Sequence, residues 1–248
     1  MSKVFLVTGG SRGIGAATVR LAAARGARVV FTYRQAETVA MELCAEVRAA
    51  GGEVEALRAE MGEETDILNV FKTIDTRYGG LDVLVNNAGI AERQQRLVDM
   101  DISRLKRVFE TNVIGAMICA REAVKRISTR LGGKGGCIVN VSSAAARLGS
   151  PGEYVDYAAS KGALDTFTTG LAKEVALEGI RVNAVRPGLI HTDIHASYGD
   201  PGRVKRLAAN VPMQRGGTAE EVAEAILWLA SDAASYCIGN FIDVSGGR

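Results

Sequence analysis

The stretch KVFLVTGGSRGIGAATVRLAAARG runs from Lys3 to Gly26, and its reading decides the fold. KVFLVT (3–8) is a short, continuous apolar run, the pattern of a strand buried on both faces. It breaks at Gly9 and Gly10, and IGAATVRLAAARG then carries a helical pattern closed by Gly26 as a C-cap. A strand running through a glycine turn into a helix presents free N–H groups at the helix start. Those groups and the helix dipole favour an anion, and glycine lets a phosphate approach the backbone. The glycines at 9, 13 and 15 are spaced GxxxGxG, not the GxGxxG of the common dinucleotide fingerprint. In this strand–turn–helix setting the turn still reads as a nucleotide site.

The same alternation continues down the chain. RVVFTY (28–33), EVEALRAE (53–60), LDVLVNNAG (81–89), GCIVNVSS (136–143) and IRVNAVRPG (180–188) read as strands. Helical patterns lie between them, including a long one over Ile102 to Leu131 and one near 156–178. AEEVAEAILWLAS is the last helix, with Trp228 expected in its buried face, and it leads into GNFIDVSGG. Gly51, Gly79 and Gly179 fall where helices should end. The expected fold is α/β: a doubly wound, Rossmann-type parallel sheet of about seven strands with helices on both faces. No Pro/Ser-rich linker divides residues 1–248, so one domain is expected. The least regular segment, 188–218, is expected to be a substrate loop.

Several classes are excluded by what the chain carries. A net charge of +2 without a Lys/Arg run is no nucleic-acid footprint. No segment reaches the apolar length of a membrane span, and a cytoplasmic location is expected. Cys44, Cys119, Cys137 and Cys237 make no CxxC pair, and Cys119 and Cys137 read as small buried residues. His191 and His195 are four apart but lack the HExxH glutamate, so no metal site is assigned.

The end of the second strand informs cofactor choice. A dinucleotide site for NAD(H) expects an acid there to hold a ribose hydroxyl. The sequence reads FTYRQ instead, placing Arg34 where that acid would stand. An arginine can pair with a 2′-phosphate, and Arg12 in the glycine turn could be a second cation beside it. The expected cofactor is NADP(H), with solvated surface arginines as the alternative reading.

Taken in order, TGGSRGIG, NNAG (86–89), TNVIG (111–115), YAASK (157–161) and RPGLIHTD (186–193) resemble the motifs of the short-chain dehydrogenase/reductase superfamily over essentially the whole chain. The chain is most similar in type to β-ketoacyl-carrier-protein reductases and glucose dehydrogenases. The resemblance implies NADP(H)-dependent interconversion of a small-molecule carbonyl and an alcohol by a homotetramer. It implies Tyr157 as acid/base. Lys161 would bind the nicotinamide ribose and lower the tyrosine pKa. Ser143 would hydrogen-bond the substrate carbonyl, and Asn112 would hold a water in a proton relay. Gly9, Ser11, Arg12, Gly13, Ile14 and Gly15 would cradle the cofactor phosphates. Asn87, Ala88 and Gly89 would line the adenosine ribose. Glu60 and Met61 stand where the family has an Asp–Val-type pair at the adenine. Pro187, Gly188, Ile190 and Thr192 would meet the nicotinamide.

Alternatives remain open at three residues. Ser143 lies fourteen residues before Tyr157 and Ser142 fifteen, where the family places its serine about thirteen before. Only one of two successive strand residues can face the substrate. Asn112 could instead be a helix-distorting residue bonded to backbone. Tyr154 is expected near the start of the helix, bordering the pocket, and Asn86 is expected to join neighbouring strands. His195 and Tyr198 read as loop-surface residues. Two other functions compete: a non-catalytic nucleotide sensor or scaffold, and an epimerase or dehydratase on the same fold. A sensor predicts loss of Tyr157, Lys161 or Ser143, and all three are present.

Overall fold

The computed structural model describes residues 2–192 and 199–248. Its centre is a seven-stranded, all-parallel sheet in the order β3-β2-β1-β4-β5-β6-β7. The strands are β1 (Val4–Val7), β2 (Arg28–Tyr33), β3 (Glu53–Arg58), β4 (Val83–Asn86), β5 (Gly136–Val141), β6 (Ile180–Pro187) and β7 (Phe241–Val244). The order reverses between β1 and β4, which opens a crevice at the carboxyl ends of the two central strands.

Successive strand residues feed two separate cores, because side chains alternate across a sheet. Val7, Val29, Phe31, Val85 and Val139 pack on one face. They meet α1 (Gly13–Ala24), α2 (Glu37–Ala49) and α9 (Ala219–Ala230). Leu6, Val30, Leu84, Ile138 and Val182 pack on the other. They meet α3 (Glu64–Tyr78), α5 (Ala116–Ile127) and α7 (Val155–Glu174). Burial on both faces is why these strands are continuous apolar runs rather than alternating ones.

The long helical region divides into α4 (Ile102–Phe109), a π-helical turn (Glu110–Gly115) and α5. The π turn is where the chain passes beneath Met61: a Cβ on Gly115 would lie 1.8 Å from the Met61 carbonyl oxygen. The helix therefore widens by a residue and glycine fills the contact. The chain ends α5 at Ile127 and α7 at Glu174, with single 3₁₀ turns beyond each, Thr129–Leu131 and Ala176–Glu178.

Trp228 corrects an expectation. It is 43% exposed, because α9 buries Val222, Ala223, Ile226, Leu229 and Ala230 and turns the indole outward. Beyond β6, Ile190 makes an isolated parallel bridge with Gly217. The short helices α6 (Ala145–Leu148) and α8 (Arg203–Leu207) follow β5 and the 188–192 segment respectively. Leu189, Val204 and Val211 form a small core of their own, so the described parts of the segment, 188–192 and 199–218, share a nucleus. His195 and Tyr198 lie outside the described residues.

Candidate active site

A cavity of about 550 Å³ occupies the crevice at the carboxyl ends of the strands. That size suits a small-molecule or cofactor site. Every residue assigned to catalysis or cofactor binding from the sequence lines it except Gly15 and Asn112, which stand directly behind its wall.

The glycine turn forms one end. Gly9 and Gly13 both have positive φ, 65° and 53°, as a tight turn into α1 requires. The first turn of α1 has no side-chain cap at Arg12 and no acidic residue, so its positive end is left open to an anion. A Cβ on Gly13 would approach Thr192 Cγ2 to 3.2 Å, so the turn faces the 188–192 segment across a gap that side chains would fill. Gly15 serves packing: a Cβ there would lie 2.4 Å from the Gly9 carbonyl oxygen. The Asn87 side chain is committed to the same turn, its Nδ2 donating to the carbonyls of Thr8 and Gly9, both at 2.9 Å. Arg12 and Ser11 border the cavity, as do Arg34, Glu60 and Met61 further along the strand ends. Arg34 is ion-paired with Glu60.

The other end gathers the polar side chains of β5 and α7. Four-residue spacing on α7 puts Tyr157 and Lys161 on one face, with Lys161 Nζ 5.6 Å from the ring centre of Tyr157. Lys161 is buried and donates to the Val141 carbonyl at 2.8 Å. Burial lowers its pKa to about 8, partly opposed by the nearby Asp165 carboxylate. Tyr157 is half-buried at the cavity wall. Burial raises its pKa, and a hydrogen bond from Ser143 draws it partway back. The depression expected from Lys161 is not among the causes of the shift, whose direction is set by desolvation of the phenolate.

The two serines separate clearly. Ser142 is buried and its hydroxyl donates to the Lys161 carbonyl at 3.3 Å. The Ser143 hydroxyl meets Tyr157 and accepts the Ala145 N–H at 3.1 Å. Ser143 is therefore the serine grouped with the tyrosine hydroxyl.

Asn112 sits in the π turn with 1% exposure. Its amide accepts from the Ile90 N–H at 2.8 Å, and donates to the Ile90 carbonyl at 2.8 Å and to Ser160 at 3.0 Å. Gly89 lies between: a Cβ there would come within 3.3 Å of Lys161 Nζ and 3.4 Å of Asn112 Oδ1. Asn86 joins strands as expected, donating to Asn140 Oδ1 at 3.0 Å and to the Ala116 carbonyl at 3.1 Å.

Three contributors escaped the sequence reading. Tyr154 was expected at the pocket's border, and it is there, buried at the start of α7. Its partners were not foreseen: Gln94 Nε2 donates to its hydroxyl at 3.1 Å, and Arg203 lies 5.2 Å from its ring centre. Arg203 also lines the cavity and pairs with Glu153. Gln94 and Arg203 sit outside any periodic pattern, so nothing in the sequence marked them. Asp165 had a signal that went unused, since it is one helical turn beyond Lys161.

The comparisons with known proteins agree with this geometry. The family model described as enoyl-(acyl carrier protein) reductase matches residues 9–248. An uncharacterized oxidoreductase of Escherichia coli, YgfF, is 56% identical over 99% of both chains. A 3-oxoacyl-[acyl-carrier-protein] reductase of Synechocystis sp. is 38% identical, over 99% of this chain and 96% of its own. Among solved structures, a blue fluorescent protein from a metagenomic library in complex with NADPH is 34% identical. It superposes with a TM-score of 0.90 over 99% of this chain and 97% of its own.

Proposed function

Because the chain belongs to the short-chain dehydrogenase/reductase family, we propose that it is an NADP(H)-dependent oxidoreductase interconverting a carbonyl compound and an alcohol. The observation that carries this reading is the meeting of Ser143, Tyr157 and Lys161 in one cavity with an uncapped glycine turn at its far end.

A nicotinamide cofactor held here would supply or take the hydride. The chain's own residues handle the proton and the geometry. Tyr157, protonated at neutral pH as an ordinary tyrosine is and more firmly so through burial, gives its proton to the carbonyl oxygen during reduction. Ser143 donates to the same oxygen and fixes its direction. Lys161 would hold the ribose of the cofactor. With a pKa of about 8, part of its population is charged and part neutral at mildly alkaline pH. Asn112 holds the floor of the site at Ile90. The first turn of α1 and its glycines would cradle the diphosphate, and Arg34 with Arg12 would meet the 2′-phosphate. Pro187, Gly188, Ile190 and Thr192 would border the nicotinamide. The sensor reading has no support in a cavity that keeps Ser143, Tyr157 and Lys161 together.

The segment 188–218 is the proposed substrate loop of a single 1–248 domain, since its Leu189, Ile190 and Arg203 wall the cavity beside Tyr154. Related acyl-carrier-protein reductases make 3-oxoacyl thioesters one class to test. Ketones, quinones, sugars and such thioesters, screened with NADPH and NADH at the nicotinamide absorbance, test the function. Absence of turnover with every class would overturn it.

A homotetramer would cover some of the exposed apolar side chains, which include Ile102, Ile114 and Met117 around the π turn and Trp228, Tyr236 and Ile238 near the C-terminus. A monomer by light scattering would contradict it. Four cysteines without a disulfide suit a reducing, cytoplasmic setting, which cell fractionation checks. No helix among the described residues is long and apolar enough to cross a membrane.

A further inference from the structure

Arg34 and Glu60 follow the carboxyl ends of neighbouring strands, just past the Tyr33–Arg58 pair that closes the β2–β3 ladder. The Arg34 Nε and the Glu60 carboxylate form an ion pair across that gap. Both residues line the main cavity and also a smaller one of about 380 Å³, which they share with Gln35 and Arg58. The Glu60 amide is fixed in turn, donating to Asp66 Oδ2 at 2.8 Å. The carboxylate is therefore held at the rim by its backbone and aimed at the guanidinium.

This pairing changes what Arg34 can offer. A guanidinium has five donors, and the carboxylate takes the Nε side while the terminal nitrogens remain for a second partner. A dianionic phosphate approaching Arg34 is attracted by the cation and repelled by the adjacent Glu60. A ribose hydroxyl there meets the opposite balance, since it can donate to the carboxylate. The pair is half-open to solvent, with side chains 58% and 30% exposed, so it can break and re-form on ligand binding. Aspartate at position 60 would hold its charge one methylene further back.

We infer that Glu60 competes with a cofactor 2′-phosphate for Arg34, so that the chain accepts both NADP(H) and NAD(H) and Glu60 sets the ratio between them. The inference rests on the reading of Arg34 as the 2′-phosphate ligand. It assigns Glu60 a selectivity role in place of the adenine contact that the family resemblance implied.

Calorimetric titration with 2′,5′-ADP and 5′-ADP tests it without turnover. Glu60→Gln should tighten 2′,5′-ADP by about three- to tenfold, the scale of a partly screened charge pair, and leave 5′-ADP unchanged or weaker. Glu60→Asp should move 2′,5′-ADP in the same direction by less. An equal change for both ligands, or none, overturns the inference. Arg34→Met separates the two readings. If it weakens 2′,5′-ADP while Glu60→Gln does nothing, the competition is wrong and the phosphate ligand is right. If neither variant alters the selectivity, the 2′-phosphate assignment falls and takes the inference with it.

Discussion

Lys161 Nζ lies 5.6 Å from the centre of the Tyr157 ring and donates to the Val141 carbonyl at 2.8 Å, so the ammonium is anchored on β5 while lying over the phenol. Burial acts on both groups, pushing the lysine down to about 8 and the tyrosine up. Each therefore favours its neutral form more than it would in water.

Tyr157→Phe removes the proton donor and leaves the ring and its packing. Turnover should fall by about a thousandfold or more. NADPH binding, followed by fluorescence titration, should stay near wild type. A variant with wild-type turnover would remove Tyr157 from the chemistry.

Lys161 makes stability depend on pH with a definite sign. Its folded pKa of about 8 lies below the ordinary 10.5, so the unfolded chain binds the extra proton between those values. The cost of burying the charge is fully present below pH 8 and is relieved as pH rises toward 10.5. Tyr157 acts oppositely only above pH 10, where its raised pKa makes the folded state hold a proton the unfolded chain has lost. Between pH 7 and 9.5, wild type should therefore gain on Lys161→Met by about 2 kcal/mol. Denaturant unfolding at both pH values measures the gap, and parallel behaviour would contradict the burial argument.

Gly115→Ala forces a Cβ to 1.8 Å from the Met61 carbonyl oxygen. The π turn or the chain at Met61 must shift, and a loss of about 2–4 kcal/mol is expected. Gly170→Ala in α7 meets nothing within 4 Å and should instead stabilise by roughly 0.5–1 kcal/mol. Thermal midpoints moving in opposite directions would confirm that space, not residue type, decides.

Arg104 and Asp156 form a buried pair, with side chains 3% and 0% exposed, immediately before Tyr157 on α7. Arg104 also donates to the Arg93 carbonyl at 2.6 Å and Gln95 Oε1 at 2.8 Å. Asp156→Ala strands a buried cation and should cost about 3–5 kcal/mol. The double variant Arg104→Met with Asp156→Leu should recover most of that loss in denaturant unfolding. No recovery would mean that the Arg93 and Gln95 contacts dominate.

The fold was legible because burial on both faces writes strands such as VFLV, and the VLV of β4 before Asn86, as unbroken apolar runs. The chemistry was legible because Tyr157 and Lys161 are one helical turn apart in a single element. What one sequence could not show is pairing between elements. Arg34 with Glu60, Arg104 with Asp156 and Tyr154 with Gln94 each join segments whose approach only the tertiary fold decides. The choice between Ser142 and Ser143 was of the same kind, since it depends on which way β5 leaves the sheet. Trp228 failed differently: the last helix is apolar around more of its surface than the core covers, so periodicity misassigned its outward face.

Asn112 gives the Ile90 peptide both hydrogen bonds that a neighbouring strand would. At Ile90 the chain after β4 is thus protected by one amide side chain rather than by a ladder. Its N–H exchanges with solvent water on the terms of that single residue: opening at Ile90 needs only a rotation of Asn112, not the unfolding of the sheet. Deuterium uptake at this peptide would accordingly report local breathing of the site's floor, while the neighbouring strand amides report the stability of the whole molecule.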